Sequence, residues 1–195
     1  MKAWWAGALL ALVAPAGLAQ PIAQKAQACL TCHGANGTSA QAGTPSLGGQ
    51  TSFFIVAQLF LMRDGRRTKR ATPMDPFAKG LSDDDLRAYG DLFSKQPAPA
   101  PPSGALDAAR YAKGRALAQQ HNCGSCHSPD YSGQPQVPRV ANQREDYLVQ
   151  ALRDYKKGER SGYGSASMPE AVGPLADADL AALAYYLANF RPKSP

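Results

Sequence analysis

Two short runs hold the residues of this chain best suited to chemistry: Cys29-Leu30-Thr31-Cys32-His33 and Cys123-Gly124-Ser125-Cys126-His127. In each, two thiols share one side of a helical turn and an imidazole follows directly. C-x-x-C-H is the attachment signature of c-type haem: both thiols can add across the vinyl groups of one macrocycle, and the imidazole can serve the iron as proximal ligand. Cys29, Cys32, Cys123 and Cys126 are therefore the candidate haem-binding residues, and His33 and His127 the candidate iron ligands. Other chemistries use the same residue types. A zinc site would need the two pairs to converge and gives no role to histidines in equivalent places. A thioredoxin-like redox pair expects a βαβ setting that neither copy has. Disulfides inside each C-x-x-C would close loops too short to gain much. The spacing favours two covalently bound haem c groups.

The chain repeats itself around these motifs, and the repeat selects further residues. Pro45 to Gln50 reads against Pro138 to Gln143 at an offset of 93, and the same offset carries Ile55, Leu59 and Met62 onto Leu148, Leu152 and Tyr155, each trio spaced for one helical face. Gly65-Arg66-Arg67 falls on Gly158-Glu159-Arg160, and Leu81 to Leu86 matches Leu175 to Leu180 at an offset of 94. Of four methionines, Met1 leads the chain, Met62 pairs with Tyr155 and reads as core filler, and Met74 and Met168 pair with each other. Each of that pair stands 45 residues after the first cysteine of its half (74 − 29 and 168 − 123). Their matched places, in loops flanked by Pro73 and Pro76 or by Pro169, make them candidate thioether ligands. His121 has no counterpart and is expected at the surface.

The elements that must position these residues read as helices and loops, without a convincing strand pattern. Ser82 with Asp85 forms a capping-box start, and Leu86, Tyr89 and Phe93 give that helix its inner face. Leu180, Leu183, Leu187 and Phe190 do the same in the second half. A helix over Asp107 to Gln120, broken at Gly114, opens the second half, whereas only Pro21 to Ala28 precedes the first cysteines. Between the halves, Gln96 to Gly104 is dense in proline and predicts an extended, semi-rigid spacer. The expected layout is an export signal over residues 1–19, a first domain over 20–96, a linker over 97–103 and a second domain over 104–195. The signal rests on Lys2 followed by an uncharged apolar run, Ala3 to Leu18, with cleavage after Ala16 or Ala19. Export to a bacterial periplasm agrees with haem attachment. The formal charge of +6 would be largely offset by four propionates, and no basic run is interleaved with stacking aromatics, which excludes nucleic acid as partner. Arg63, Arg66, Arg67, Lys69 and Arg70 form a local basic cluster, expected as a solvated face, or else pairing with propionates or steering an acidic redox partner.

With these residues in place the chain resembles the cytochrome c4-type dihaem cytochromes c. The resemblance rests on Cys29-x-x-Cys32-His33-Gly34-Ala35-Asn36-Gly37, Pro45 to Gln50, Gln58-Leu59, Gly65-x-Arg67, Met74 and Leu81-Ser82-Asp83. In the second half it rests on Tyr147-Leu148, Gly158-x-Arg160, Met168 and Leu175 to Leu187. It implies an all-α fold of two tandem small cytochrome c-like domains, each wrapped around a covalent haem, with iron ligated by His33 and Met74 in one half and His127 and Met168 in the other. It implies that the carbonyls of Pro45 and Pro138 accept hydrogen bonds from the ligand histidines. Ser128-Pro129 and Ala141-Asn142 depart from the pattern where glycine is expected. With both axial positions filled, the iron can only exchange an electron, so the implied protein is an electron carrier and not an enzyme. Its implied partners are a quinol-oxidising complex or dehydrogenase as donor and a terminal oxidase or reductase as acceptor, with peripheral membrane association and a monomeric state. A dihaem subunit of a dehydrogenase, such as a flavocytochrome c, is the alternative; a peroxidase is a third, and requires one haem to lose its methionine.

Overall fold

The computed structural model describes residues 21–67, 69, 72–160 and 167–192. The expected export signal lies outside these residues, as does Arg70 of the basic run. Among the described residues the secondary structure is helical, with no strand. The first half contains α1 (Ile22–Lys25), α2 (Gln27–His33), α3 (Ser52–Arg63), α4 (Asp75–Ala78) and α5 (Asp83–Ser94). The second contains α6 (Ala108–Gln120), α7 (Cys123–His127), α8 (Glu145–Lys156), α9 (Met168–Val172) and α10 (Asp177–Ala188). From α2 to α5 and from α7 to α10 the order is the same, as the internal repeat requires.

Local sequence accounts for the principal helices. Ser82 Oγ accepts from the Asp85 backbone N–H at 3.1 Å while the Asp85 carboxylate accepts from the Ser82 N–H at 3.1 Å, so two orphan donors at the start of α5 are satisfied together. Three aspartates in its first turn also oppose the positive end of the helix dipole. Leu86, Tyr89 and Phe93 are buried on the inner face, as their spacing predicts. α10 lacks the side-chain cap, since Ala176 stands where Ser82 would be. It is held instead by burial of Leu180, Leu183 and Leu187, each contributing about 1.5–3 kcal/mol. On α3 the inward face is Ile55, Gln58 and Leu61, with Leu59 and Met62 only half-buried.

Gly114 does not break its helix. α6 runs through it, capped by Asp107, whose side chain accepts from the Arg110 N–H at 3.0 Å. A Cβ on Gly114 would lie 2.1 Å from the Ala182 carbonyl oxygen. The glycine therefore lets α6 and α10 approach closely, which helical periodicity alone does not reveal.

The two cores differ in size. Among the described residues the first gathers Ala26, Ile55, Tyr89 and Phe93. The second is much larger, running from Ala118 and Tyr131 through Leu148, Leu152 and Tyr155 to the buried residues of α10. Within it Tyr131 meets Tyr186 and Phe190 edge to face, at ring separations of 5.7 and 4.9 Å.

The proline-rich connection is extended, but its beginning is laid against the first half. A Cβ on Gly48 would meet the Pro97 carbonyl oxygen at 2.3 Å, and one on Gly49 the Ala98 side chain at 2.6 Å. Pro99 is buried.

The halves also meet directly, and the contact has the repeat's own symmetry. Gln143 accepts from the Ser46 N–H at 2.8 Å and donates to the Ser46 carbonyl at 2.8 Å. Gln50 accepts from the Arg139 N–H at 2.8 Å and donates to its carbonyl at 3.1 Å. Positions 46 and 139, and 50 and 143, are repeat equivalents. The interface is therefore isologous, as in a two-fold dimer. The Gly43 N–H donating to Asp146 at 2.9 Å and the Lys69 N–H donating to the Glu159 carbonyl at 2.9 Å extend it.

Candidate functional site

Each cysteine–histidine motif occupies a short helix whose end is fixed by the loop that follows. In α2 the cysteines and His33 fall at i, i+3 and i+4, on one side of the helix; α7 repeats this with Cys123, Cys126 and His127. Beyond α2, the Gly37 carbonyl accepts from the Leu47 and Gly48 N–H groups at 2.7 and 3.0 Å. Beyond α7, the Tyr131 carbonyl accepts from Val140 and Ala141 at 3.0 and 3.1 Å. These paired bonds close each loop so that a proline carbonyl is carried over the histidine.

His33 is 4% exposed and its Nδ1 lies 2.7 Å from the Pro45 carbonyl oxygen. His127 is 9% exposed, with Nδ1 2.8 Å from the Pro138 carbonyl oxygen. A carbonyl can only accept, so Nδ1 carries the proton and Nε2 keeps its lone pair. Burial pushes both imidazoles below their ordinary pKa, against the opposing effect of the carbonyl. The tautomer and ring orientation are thus those a metal-ligating histidine needs. The four cysteines are free thiols, Cys126 exposed and the others half-buried, and burial raises Cys29 and Cys123 above the ordinary thiol range. Among the described residues no three His, Cys, Asp or Glu side chains cluster as a metal site, so the two pairs do not converge as zinc coordination would require. Free thiol pairs beside a buried imidazole with a bare Nε2 are the donor set that covalent haem requires, and the residues present fit it.

Met74 immediately precedes α4 and Met168 begins α9, so the paired methionines sit at equivalent helix starts rather than in open loops. Both are half-buried, and Met168 packs on the same core as Cys123. His121 is half-buried at the end of α6, its N–H bonded to the Leu117 carbonyl at 3.0 Å.

The basic run is not one solvated face. Arg63 pairs with Asp83 at 2.7 Å and Arg66 with Asp64 at 3.1 Å, whereas Arg67 turns inward. Arg67 Nε donates to Gln58 Oε1 at 2.9 Å and its Nη2 to the Tyr147 hydroxyl at 3.0 Å. Arg160, its repeat equivalent, donates to the same two acceptors, at 3.1 Å to Gln58 and 3.3 Å to Tyr147. This cross-linked cluster and the Gln50 and Gln143 contacts were missed in the sequence, although recurrence of Gln and of Gly-x-Arg at the repeat offset was a visible signal.

A pair of helix-borne Cys-x-x-Cys-His motifs, each with its imidazole oriented by a carbonyl, defines a c-type cytochrome carrying two covalently bound haem c groups. Residues 111–191 match the family model for cytochrome c. Over 189 residues the chain is 30% identical to the cytochrome c4 of Pseudomonas aeruginosa, covering 92% of each chain. It is 32% identical over 180 residues to a thiosulfate dehydrogenase electron acceptor of Stutzerimonas stutzeri, covering 86% of this chain and 81% of that one. The structure of Acidithiobacillus ferrooxidans cytochrome c4 superposes with a TM-score of 0.75 at 27% identity, over 85% of this chain and 99% of that one. The chain belongs to the cytochrome c4 family. It is an all-α dihaem electron carrier, not an enzyme.

Proposed function

We propose that this carrier works in the periplasm, delivered there by the leader over residues 1–19, and serves a respiratory chain by passing electrons between a dehydrogenase or quinol-oxidising complex and a terminal oxidase or reductase. Residues 20–96 and 104–195 each hold one haem, joined by 97–103. Cys29 and Cys32 tether the first and Cys123 and Cys126 the second. His33 with Met74, and His127 with Met168, would hold the irons. When bound, each haem supplies a one-electron couple, raised in potential by its soft, neutral methionine. The chain's own residues do the rest: the Pro45 and Pro138 carbonyls hold the proton on Nδ1, and the buried helical faces exclude water. With one histidine and one methionine of each half committed to its iron, the chain would leave no place for oxygen or peroxide to bind. The observation that carries this reading is the matched histidine–carbonyl contact in both halves.

A dehydrogenase as donor is supported by the likeness to a thiosulfate dehydrogenase electron acceptor. The protein acts as a monomer that meets its partners, and the membrane surface, transiently. Redox titration of the purified protein tests the ligand assignment. Met74→His is expected to lower the potential of one haem and Met168→His that of the other. No shift from either substitution would place the sulfur ligand elsewhere. Size-exclusion of the native protein tests the carrier: elution as a free monomer is expected, and co-elution with a catalytic subunit would make it an enzyme component.

A further inference from the structure

The peptide group that orients each buried histidine is bonded on its other side by the opposite half. His33 Nδ1 lies 2.7 Å from the Pro45 carbonyl oxygen. The N–H of that same peptide unit, carried by Ser46, donates to Gln143 Oε1 at 2.8 Å. The second half repeats the arrangement in reverse. His127 Nδ1 lies 2.8 Å from the Pro138 carbonyl oxygen, and the N–H of that peptide, carried by Arg139, donates to Gln50 Oε1 at 2.8 Å. Each histidine is therefore one end of a three-member chain, imidazole to peptide to glutamine, whose last member belongs to the other half.

The partners fix how both glutamines lie. Gln143 Oε1 faces the N–H groups of Ser46 and Arg144 at 2.8 and 2.9 Å, and its Nε2 faces the Ser46 carbonyl at 2.8 Å. Gln50 Oε1 faces the N–H groups of Arg139 and Thr51 at 2.8 and 3.1 Å, and its Nε2 faces the Arg139 carbonyl at 3.1 Å. A backbone N–H can only donate, so it is the amide oxygen that meets each peptide. Gln50 and Gln143 are 6% and 7% exposed, which shields these bonds from water. Hydrogen bonds in a chain polarise one another: a peptide whose N–H is bonded carries more negative charge on its oxygen. That carbonyl draws harder on the Nδ1 proton and makes Nε2 a more basic ligand.

We propose that Gln143 and Gln50 are positioning residues that act crosswise, each setting the donor strength of the other half's histidine and so the potential of the other half's haem. This rests on the reading that His33 and His127 hold the irons. A more basic imidazole favours the oxidised iron, so each glutamine holds the opposite potential down and its removal raises it. The two chains are unequal. Ser46 is buried, whereas Arg139 is half-buried, so Gln143 acts on His33 in drier surroundings, and more strongly, than Gln50 acts on His127.

The test is a redox titration of the holoprotein followed by NMR, in which the resonances of each haem report its own half, on the wild type, Gln143→Ala and Gln50→Ala. Gln143→Ala is expected to favour reduction of the first haem by about threefold, or about 30 mV at 59 mV per tenfold for a one-electron couple, and to leave the second nearly unchanged. Gln50→Ala should raise the second haem instead, by less. In the reduced, diamagnetic protein the His33 Nδ1–H resonance should move upfield in Gln143→Ala, and that of His127 in Gln50→Ala, as each bond to its carbonyl weakens. If Gln143→Ala does not fold, Gln50→Ala carries the comparison. Equal shifts of both haems, the mark of a merely loosened boundary, would overturn the proposal. So would a shift confined to the haem of the substituted half, or Nδ1–H resonances that stay in place. Wild-type histidine resonances without the ring-current shift of a haem ligand would overturn the ligation itself, and the proposal with it.

Discussion

Replacing Gln143 by alanine tests whether the two halves are held by the paired glutamines. The side chain makes two bonds to the backbone of Ser46, each at 2.8 Å, and accepts a third from the Arg144 N–H at 2.9 Å. Ser46 is 4% exposed, so truncation leaves a buried N–H and a buried carbonyl with no partner. Each such group costs about 1–3 kcal/mol, and entry of water into the vacated space offsets part of that. The expected loss is about 2–4 kcal/mol, or a fall in Tm of about 5–15 °C for a chain of this length. Gln50→Ala strips the same two bonds from Arg139, but that residue is only half-buried, so its loss should be smaller. Urea unfolding of the holoprotein, followed by far-UV circular dichroism and haem absorbance, reads both. A change within about 0.5 kcal/mol for Gln143→Ala, the level of an ordinary surface substitution, would refute the reasoning. So would a larger loss for Gln50→Ala than for Gln143→Ala.

Three further outcomes follow from the packing and the charges. Replacing Cys29 and Cys32 by alanine should cost the first half most of its hydrogen-exchange protection, because its protein-only core is small; removing Cys123 and Cys126 should leave α6, α8 and α10 largely protected by theirs. Gly114→Ala, which helix propensity alone would make favourable by about 1 kcal/mol, should instead destabilise by about 1–3 kcal/mol through overpacking against the Ala182 carbonyl, as read by thermal melting. The Asp85 carboxyl is held down to about 2, first by Lys25 and then by Ser82. Its folded value lies below the unfolded one, so its contribution is present above pH about 4 and fades as pH falls toward 2. Tm measured across that window should fall less steeply in Asp85→Asn than in the wild type.

Much of the site was legible because the chemistry fixes the spacing. Two thiols and an imidazole must share one helical turn, and the same interval to Met74 and Met168 recurs in both halves. The helices were legible where an apolar stripe coincides with a cap, as at Ser82 and Leu86. What the pattern could not convey was direction. Arg67 and Arg66 are neighbours in a basic run, but one turns into the boundary between the halves and the other pairs with Asp64 at the surface. The acceptor that decides this, Tyr147, lies 80 residues away, beyond the reach of local periodicity. Gly114 failed for the same reason, since helix propensity records only the chain's own backbone and not the carbonyl of a helix crossing it. Proline content gave the extended form of the connection and nothing about the surface against which it lies.

The departures from glycine in the second half show how strongly the histidine–carbonyl contact constrains the loop. Gly34 lies at φ 85°, ψ 148°, and Ser128 reproduces it at φ 70°, ψ 155°. Gly37 at φ 74° is matched by Tyr131 at φ 56°, and Gly49 at φ 63° by Asn142 at φ 57°. A side chain at the positive φ of Tyr131 or Asn142 costs about 1–2 kcal/mol relative to glycine, with asparagine the most tolerant. Ser128, at ψ 155°, occupies a region nearly reserved to glycine, at a cost of about 1–3 kcal/mol. The second half offsets this with local contacts that glycine cannot make. Ser128 Oγ donates to the Gly133 carbonyl at 2.8 Å, and the Tyr131 ring joins Tyr186 and Phe190 in the larger core. Despite the strain, the Nδ1 contact is 2.8 Å in the second half against 2.7 Å in the first. The loop's course is therefore imposed by the closing bonds at the Gly37 and Tyr131 carbonyls rather than by glycine itself, and glycine is one of two ways of meeting it.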